Sequence, residues 1–366
     1  MSEVPDRKKL RSGFTTGTAA TAAALAAAHI LAGSGGPSTV EVRLPGGERL
    51  LVPVTESSII SSDEAMAVVI KDGGDDPDVT NGAEIGAIVR RRSEPHLVHI
   101  IGGRGVGRVT RPGLAVAPGN YAINPVPRAM LEENLRPLLG SSAFPGIEVE
   151  IFVERGEELA ARTLNPRLGI EGGISILGTT GLVKPFSNEA YIATVDSALS
   201  VAQAAGLKEA VLTTGRQSEK LGRKARPELP EEAFVQVADF FGDSLELAAG
   251  YGFSTIGLSV FFGKAVKQGA GHRNTHAHRN DQDAAALADW LPDLGDQTRA
   301  AIRQALTARA ALEEIQRAGA EELVALVADK ALVAARSFAG PASDLWMMIF
   351  DYDGRLMTER RLEGGQ

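Results

Sequence analysis

The chain has 366 residues, 44% of them apolar and 23% charged, which rules out a small module, favours neither intrinsic disorder nor a membrane-spanning bundle, and predicts two domains of ordinary size. Thirty-eight basic against 46 acidic residues leave a net charge of −8, so nucleic acid is not expected as the main ligand and any basic site must be local. Cysteine is absent, which excludes disulfides, thiolate nucleophiles and cysteine-ligated metal centres and leaves nothing that demands an oxidising compartment.

At the N-terminus, Arg7, Lys8, Lys9 and Arg11 before an alanine-rich run loosely imitate a secretory signal. The polar stretch Ser12 to Thr18 and a lone Leu25 before Ile30 argue instead for a packed helix over 19–31, capped by Thr18 and stopped by Gly33. Val40, Val42 and Leu44 alternate with polar residues, Pro45-Gly46-Gly47 turns the chain, and Leu50, Val52 and Val54 alternate again, which predicts a hairpin with one wet face. Further strands are predicted over 65–70, 85–90, 96–101 and 147–153; in the last, Ile147, Val149, Ile151 and Val153 face inward and Glu148 and Glu150 outward. Asn124-Pro125 marks the start of a helix reaching Leu139.

From about Ile170 short apolar runs alternate with helix-like stretches. A buried strand over 174–177 leads into the turn Gly178-Thr179-Thr180-Gly181, and Ser187 caps a helix that ends at Gly206. Strands follow over 210–213, 234–238 and 256–262, with short helices over 243–249 and 264–268; helices over 284–290, 296–317 and 320–338 and a strand over 346–352 complete the chain. Alternation of this kind predicts a parallel sheet covered on both faces, with ligands beyond the C-terminal ends of its strands. The composition shift near Asn165-Pro166 sets the expected boundary: an N-terminal α+β domain with a mixed sheet over 1–168, and a three-layer α/β/α Rossmann-like domain with C-terminal helices over 169–366. No run reaches the apolar length of a membrane helix, and the chain reads as cytoplasmic.

Several segments could carry chemistry. The Gly178 to Gly181 turn suits a carboxylate, ribose or phosphate, or is a tight turn without a ligand. Gly103 to Gly107 lacks a following helix, and Gly257 to Lys264 lacks the spacing and the hydroxyl of a phosphate loop, which rejects an ATPase. Asp72, Asp75, Asp76 and Asp78 are compatible with a hard-cation site, a general base, or an Asx-rich turn. His272, His276 and His278 suit zinc and hence a metal-dependent hydrolase, an anion, or a solvated loop; the interleaved Arg273 and Arg279 oppose a metal dication. Arginines and lysines recur at predicted turns, among them Arg104, Arg108, Arg216 and Lys220, and if they converge they suit a polycarboxylate.

In order along the chain, Gly13-Phe14-Thr15-Thr16-Gly17-Thr18, Lys71 through Asn81-Gly82, Gly105 through Thr110, Ala122 through Arg128, Thr163 through Ile170, Gly172 through Gly181, Thr214-Gly215-Arg216 with Ser218-Glu219-Lys220, Gly263-Lys264, and Asn274-Thr275-His276 resemble the cobalt-precorrin-5B C1-methyltransferase family, CbiD. The likeness thins after about residue 285. Ala19 and Ala20 stand where members often carry cysteine, and the acidic Gly-x-Gly-x-Gly signature of common methyltransferases is missing.

The resemblance implies methyl transfer from S-adenosylmethionine to carbon 1 of a cobalt-bearing tetrapyrrole, giving cobalt-precorrin-6A in anaerobic-type cobalamin (vitamin B12) biosynthesis. Cobalt then belongs to the substrate, and no metal site is expected in the protein. On that reading Gly178, Thr179, Thr180, Gly181 and Ser187 hold the donor. Thr15, Thr16, Arg104, Arg108, Arg216, Lys220 and His276 touch the macrocycle in a cleft between domains, and Asp75 and Asp76 are candidate general bases. The rival readings are the metal-dependent hydrolase and a non-catalytic tetrapyrrole-binding protein. Homo-oligomerisation stays open.

Overall fold

The computed structural model describes residues 10–141, 143–276, 283–290 and 294–365, and the chain divides into an N-terminal unit, Met1–Ser187, and a C-terminal unit, Asn188–Gln366. The division falls later than the composition shift near Asn165-Pro166. Beyond that shift the chain still pairs with earlier strands of the N-terminal unit, through ladders only two residues long.

In the N-terminal unit, β1 (Gly13–Phe14) leads into α1 (Thr16–Leu31). Thr15 rather than Thr18 caps this helix, its Oγ1 accepting the Thr18 N–H at 3.2 Å. Every residue of α1 from Thr16 to Ala28 is buried, as expected of a helix whose small apolar side chains run all the way round. The chain continues through β2 (Thr39–Arg43) and β3 (Arg49–Pro53), the expected hairpin, then β4 (Glu56–Ile59), β5 (Glu64–Ile70), β6 (Glu84–Arg92), β7 (Val98–Gly102), β8 (Gly105–Val106), β9 (Arg108–Val109), α2 (Pro125–Leu135) and β10 (Gly146–Val153). After α3 (Gly156–Ala160) come β11 (Ile170–Glu171), β12 (Gly173–Ile174) and β13 (Leu182–Val183).

The main sheet has the order β4-β5-β6-β10-β7, antiparallel except for the β10–β7 pair. Ala65, Ala67, Val69, Ile85, Ala87, Val89, Ile147, Val149, Ile151 and Val153 share one core with the alanines of α1, the alternation read from the sequence. On the same strands Arg90 binds Glu64, Glu148 and Glu150. Glu148 is outward-facing yet buried, roofed by Arg90, Arg92 and His99. Its burial pushes the carboxyl up, but the hydrogen bonds from Arg92, His99 and Arg90 outweigh that and hold it below the usual range.

The C-terminal unit begins with α4 (Asn188–Ala204), β14 (Glu209–Thr213), α5 (Arg216–Ala225), β15 (Phe234–Gln236), α6 (Phe241–Gly250), β16 (Thr255–Phe261) and α7 (Phe262–Gly269). It continues with α8 (Asp283–Trp290), α9 (Asp296–Gln304), α10 (Ala308–Arg317), α11 (Glu322–Ala339), β17 (Asp344–Phe350) and β18 (Leu356–Leu362). The single helix expected over 296–317 is two helices, because the Thr307 hydroxyl accepts the Ala310 N–H and starts a new one.

The sheet order is β15-β14-β16-β17-β18, with β14 to β17 parallel and β18 antiparallel. Ala210, Leu212, Ile256, Leu258, Leu345 and Met347 face a core shared with α6, α7 and α11. Val211, Phe234, Trp346 and Met348 face the opposite way, against Leu221 and Ala225 of α5. Both faces are therefore covered, as a parallel sheet requires.

Candidate functional site

Residues 11–18 lace two distant segments of the N-terminal unit together. On one side the Phe14 N–H donates to Asp72 O at 2.8 Å, the Asp75 N–H to Arg11 O at 2.9 Å, and the Arg11 N–H to Asp75 Oδ2 at 2.6 Å. On the other, β1 pairs antiparallel with β13; the Thr15 N–H donates to Gly181 O at 3.0 Å and the Gly17 N–H to Leu177 O at 3.1 Å. Hydroxyls complete the lacing. Thr16 Oγ1, on a residue 2% exposed, accepts the Leu177 N–H at 2.8 Å and faces the carbonyls of Ser175 and Leu177, while Thr18 Oγ1 donates to Gly181 O at 2.7 Å.

Two glycines permit this approach. A Cβ on Gly13 would stand 2.2 Å from Asp72 O, and one on Gly178, whose φ is +133°, would stand 2.5 Å from Thr15 Oγ1. Thr15 and Thr16 are buried and hold the 177–181 turn, so their part is to position it rather than to present hydroxyls to a ligand. The setting expected for this turn is corrected as well. It belongs to the N-terminal unit, its approach strand β12 pairs with β8, and the helix after Ser187 opens the other unit.

The acidic loop is an Asx-rich turn. Asp72 accepts the Gly74 N–H at 2.9 Å and pairs with Arg11; the Arg11 hydrogen bond, helped by that amide, holds its carboxyl below the usual range. Lys71, 2% exposed, donates to Asp78 at 2.7 Å. Burial pushes the Asp78 carboxyl up, but hydrogen bonds from Lys71 and Thr80 outweigh it and keep it low. Asp75 is exposed at the rim, and half-buried Asp76 accepts the Phe186 N–H at 3.0 Å through Oδ2. Phe186 has a left-handed φ of 56° and is 67% exposed. With Leu177, 48% exposed, and the exposed Thr179 and Thr180, these residues make a ledge that offers apolar surface, the Thr179 hydroxyl and two carboxylates.

Of the residues singled out in the sequence, Thr15, Thr16, Asp75, Asp76 and Gly178 to Gly181 are brought together. Arg104 and Arg108 flank β8, which supports β12; their guanidinium groups lie 5.2 Å from the Phe152 and 4.9 Å from the Tyr121 ring centre, and Arg104 also pairs with Glu154. Arg216, Lys220 and His276 belong to the C-terminal unit, with Arg216 and Lys220 one turn apart on α5. Among the described residues no group of three or more His, Asp and Glu side chains is placed to hold a metal ion; His278 lies outside them. No helix among the described residues is long and apolar enough to cross a membrane.

The CbiD family model matches residues 3–185, and a model described as the CbiD C-terminal domain matches residues 274–361. The chain belongs to the CbiD family. A relative from Nitratidesulfovibrio vulgaris, curated as cobalt-precorrin-5B C(1)-methyltransferase, is 44% identical over 364 residues, covering 96% of this chain and 93% of its own. One of the same name from Pseudomonas fluorescens is 42% identical over 351 residues, 95% of each chain. A solved structure of the cobalamin biosynthesis protein cbiD from Archaeoglobus fulgidus is 31% identical, covers 75% of this chain and 84% of that one, and has a TM-score of 0.41.

Two polar residues of this CbiD family member lie outside the sequence expectations: Gln236 at the end of β15, and Asp239 three residues past it. Spacing offered a signal for Asp239: an acid roughly 20 residues after a strand–glycine–helix start is the pattern of nucleoside-binding sheets.

Proposed function

We infer that this protein is a cobalt-precorrin-5B C1-methyltransferase of cobalamin biosynthesis, which methylates carbon 1 of the macrocycle. The observation that carries the reading is the near full-length identity to relatives of that name. The lacing of Gly13 to Thr18, Asp72 to Asp78 and Leu177 to Phe186 into one ledge supports it. S-adenosylmethionine supplies a methyl group already activated by its sulfonium, so the chain needs no covalent nucleophile.

The ledge receives the acceptor. Leu177 and Phe186 offer apolar surface to a flat ring, and Thr179 offers a hydroxyl at its edge, while the Thr180 hydroxyl holds the turn by donating to Leu182 O at 3.3 Å. Arg104 and Arg108, in the same unit as the ledge, suit the acetate and propionate groups of the macrocycle. The ring's electron pair forms the new carbon–carbon bond while sulfur keeps the pair of the bond that breaks. The charge brought in with the methyl is relieved by loss of a proton, for which Asp76, with Asp75 beside it, is the acceptor. A chain without cysteine asks for no oxidising compartment, and we place the enzyme in the cytoplasm.

The test is incubation with cobalt-precorrin-5B and a donor labelled in its methyl group. Label at carbon 1 is the expected result. Binding of the tetrapyrrole without transfer would leave a carrier, and label at another carbon would refute the assigned position.

A further inference from the structure

We propose that the methyl donor binds in the C-terminal unit, at the C-terminal edge of its parallel sheet around Gly215, Glu219, Gln236 and Asp239, and not at the Gly178 to Gly181 turn. The proposal rests on the methyl-transfer reading above and adds the place and chemistry of the donor site.

Strand order comes first. β14 lies between β15 and β16, and the connection leaving β14 runs to β15 on one side while that leaving β16 runs to β17 on the other, so a crevice is expected beyond the C-terminal ends of β14 and β16. Ligands of open parallel sheets sit at such reversals.

Three segments singled out in the sequence, with no role in the N-terminal ledge, meet at that edge. Thr214-Gly215-Arg216 follows β14, Lys264 stands in the first turn of α7 after β16, and Asn274-Thr275-His276 returns to the same place. Asp239 ties the last two together. Its carboxylate accepts Lys264 Nζ and, at 3.1 Å, Thr275 Oγ1; its carbonyl accepts the Thr275 N–H at 2.9 Å, and Thr275 O accepts Lys264 Nζ at 3.2 Å. Ala238, just before it, has a left-handed φ of 46°, a conformation unfavourable for alanine and often kept where a side chain must be aimed.

The side chains define the ligand class. Glu219, 5% exposed, accepts Gln236 Nε2 at 2.6 Å, so a second carboxylate stands beside the end of β15. Tyr191 stacks on Phe240 with ring centres 5.2 Å apart, and its hydroxyl donates to Gln236 O at 3.4 Å, which supplies an aromatic flank. Lys264 is already matched by Asp239. Two carboxylates suit ribose hydroxyls and a nearby positive sulfur and disfavour a polyphosphate; Arg216, exposed at the start of α5, suits an amino-acid carboxylate. The ligand is therefore a nucleoside that carries an amino acid and a cation in place of phosphate. At the Gly178 to Gly181 turn, by contrast, the Leu177 and Gly181 carbonyls are already bound to α1.

Gly215 makes the placement testable without damage to the fold. A Cβ there would meet nothing within 4 Å, so Gly215→Val fills open space at the proposed mouth. Calorimetry on the full chain would use S-adenosylhomocysteine as probe and ATP as control, with circular dichroism to verify folding. We expect Gly215→Val, Asp239→Asn and Glu219→Gln to weaken S-adenosylhomocysteine at least tenfold, Thr179→Ala to leave its affinity within twofold, and ATP to bind more weakly than the probe. Unchanged affinity in folded Gly215→Val protein, loss of affinity in Thr179→Ala, or tighter binding of ATP would overturn the proposal. If the wild type transfers label to the tetrapyrrole while the three variants keep donor affinity, only the placement fails. A wild type that neither binds the probe nor transfers label ends the methyl-transfer reading with it.

Discussion

In the N-terminal unit the recognisable segments are packed closely against one another, whereas in the C-terminal unit Thr214-Gly215-Arg216 stands at a sheet edge with open space beside its glycine. Gly13 and Gly178 are glycines because backbone or side-chain atoms already occupy the place of a Cβ; at Gly215 that place is open. Glycine in a recognisable segment thus marks close packing in one unit and an open position in the other. Sequence cannot separate the two roles, because what differs is the neighbour brought in from elsewhere in the chain.

The largest expected effect breaks this comparison outright if it fails. Gly13→Val would force its side chain onto Asp72 O and the backbone of Gly73 and Gly74, so the folded state should be lost or weakened by more than about 4 kcal/mol. Gly215→Val should change stability by less than about 1 kcal/mol. Denaturant midpoints of the two proteins compare them directly, and similar midpoints would contradict the contrast.

Lys71→Met comes next. It removes the partner of Asp78 from a buried position at the base of the acidic loop, and a cost of about 3 kcal/mol in urea unfolding is expected. On the chemical side, Asp76→Asn should lower kcat for methyl transfer on the order of 100-fold, with donor affinity unchanged by calorimetry. An equal loss in Asp75→Asn and none in Asp76→Asn would move the proton acceptor to the neighbouring carboxylate. Thr15→Ala removes the α1 cap and should cost about 1 kcal/mol.

The pH dependence is gentler and has a fixed sign. The Asp72, Asp78 and Glu148 carboxyls are all held below their ordinary values in the folded chain. Their contribution is fully present above the unfolded values of about 4 and is lost as pH falls through the lower folded values. Urea midpoints should therefore be nearly flat between about pH 7 and 5 and decline below about pH 4. Lys71→Met should flatten part of that decline, since Asp78 loses the hydrogen bond that keeps it low.

The long strands and α1 were legible because their pattern is local. Alternation fixed the β2–β3 hairpin and the inward face of β10. The cap of α1 was misplaced because Thr15, Thr16 and Thr18 all qualify by type; the 175–181 segment decides by engaging Thr16 and Thr18. The unit boundary lies beyond the composition shift, and the shift cannot show it because β11, β12 and β13 are two residues long and have no periodicity. Helix α5 was not predicted, since Arg216 to Ala225 is mostly polar and joins the apolar core through little beyond Leu221 and Ala225. The spacing of Asp239 from Thr214-Gly215 is a weak signal in the sequence, because it depends on a strand–turn–helix start whose helix, α5, is itself not legible there; the order β15-β14-β16 gives it a place.

The division of labour between donor edge and acceptor ledge is tested most directly by hydrogen–deuterium exchange of the full chain with each ligand in turn. S-adenosylhomocysteine should protect amides over 213–219 and 236–240, and the tetrapyrrole should protect 72–78 and 177–186. Protection of 177–181 by S-adenosylhomocysteine, with 213–219 unaffected, would contradict the account.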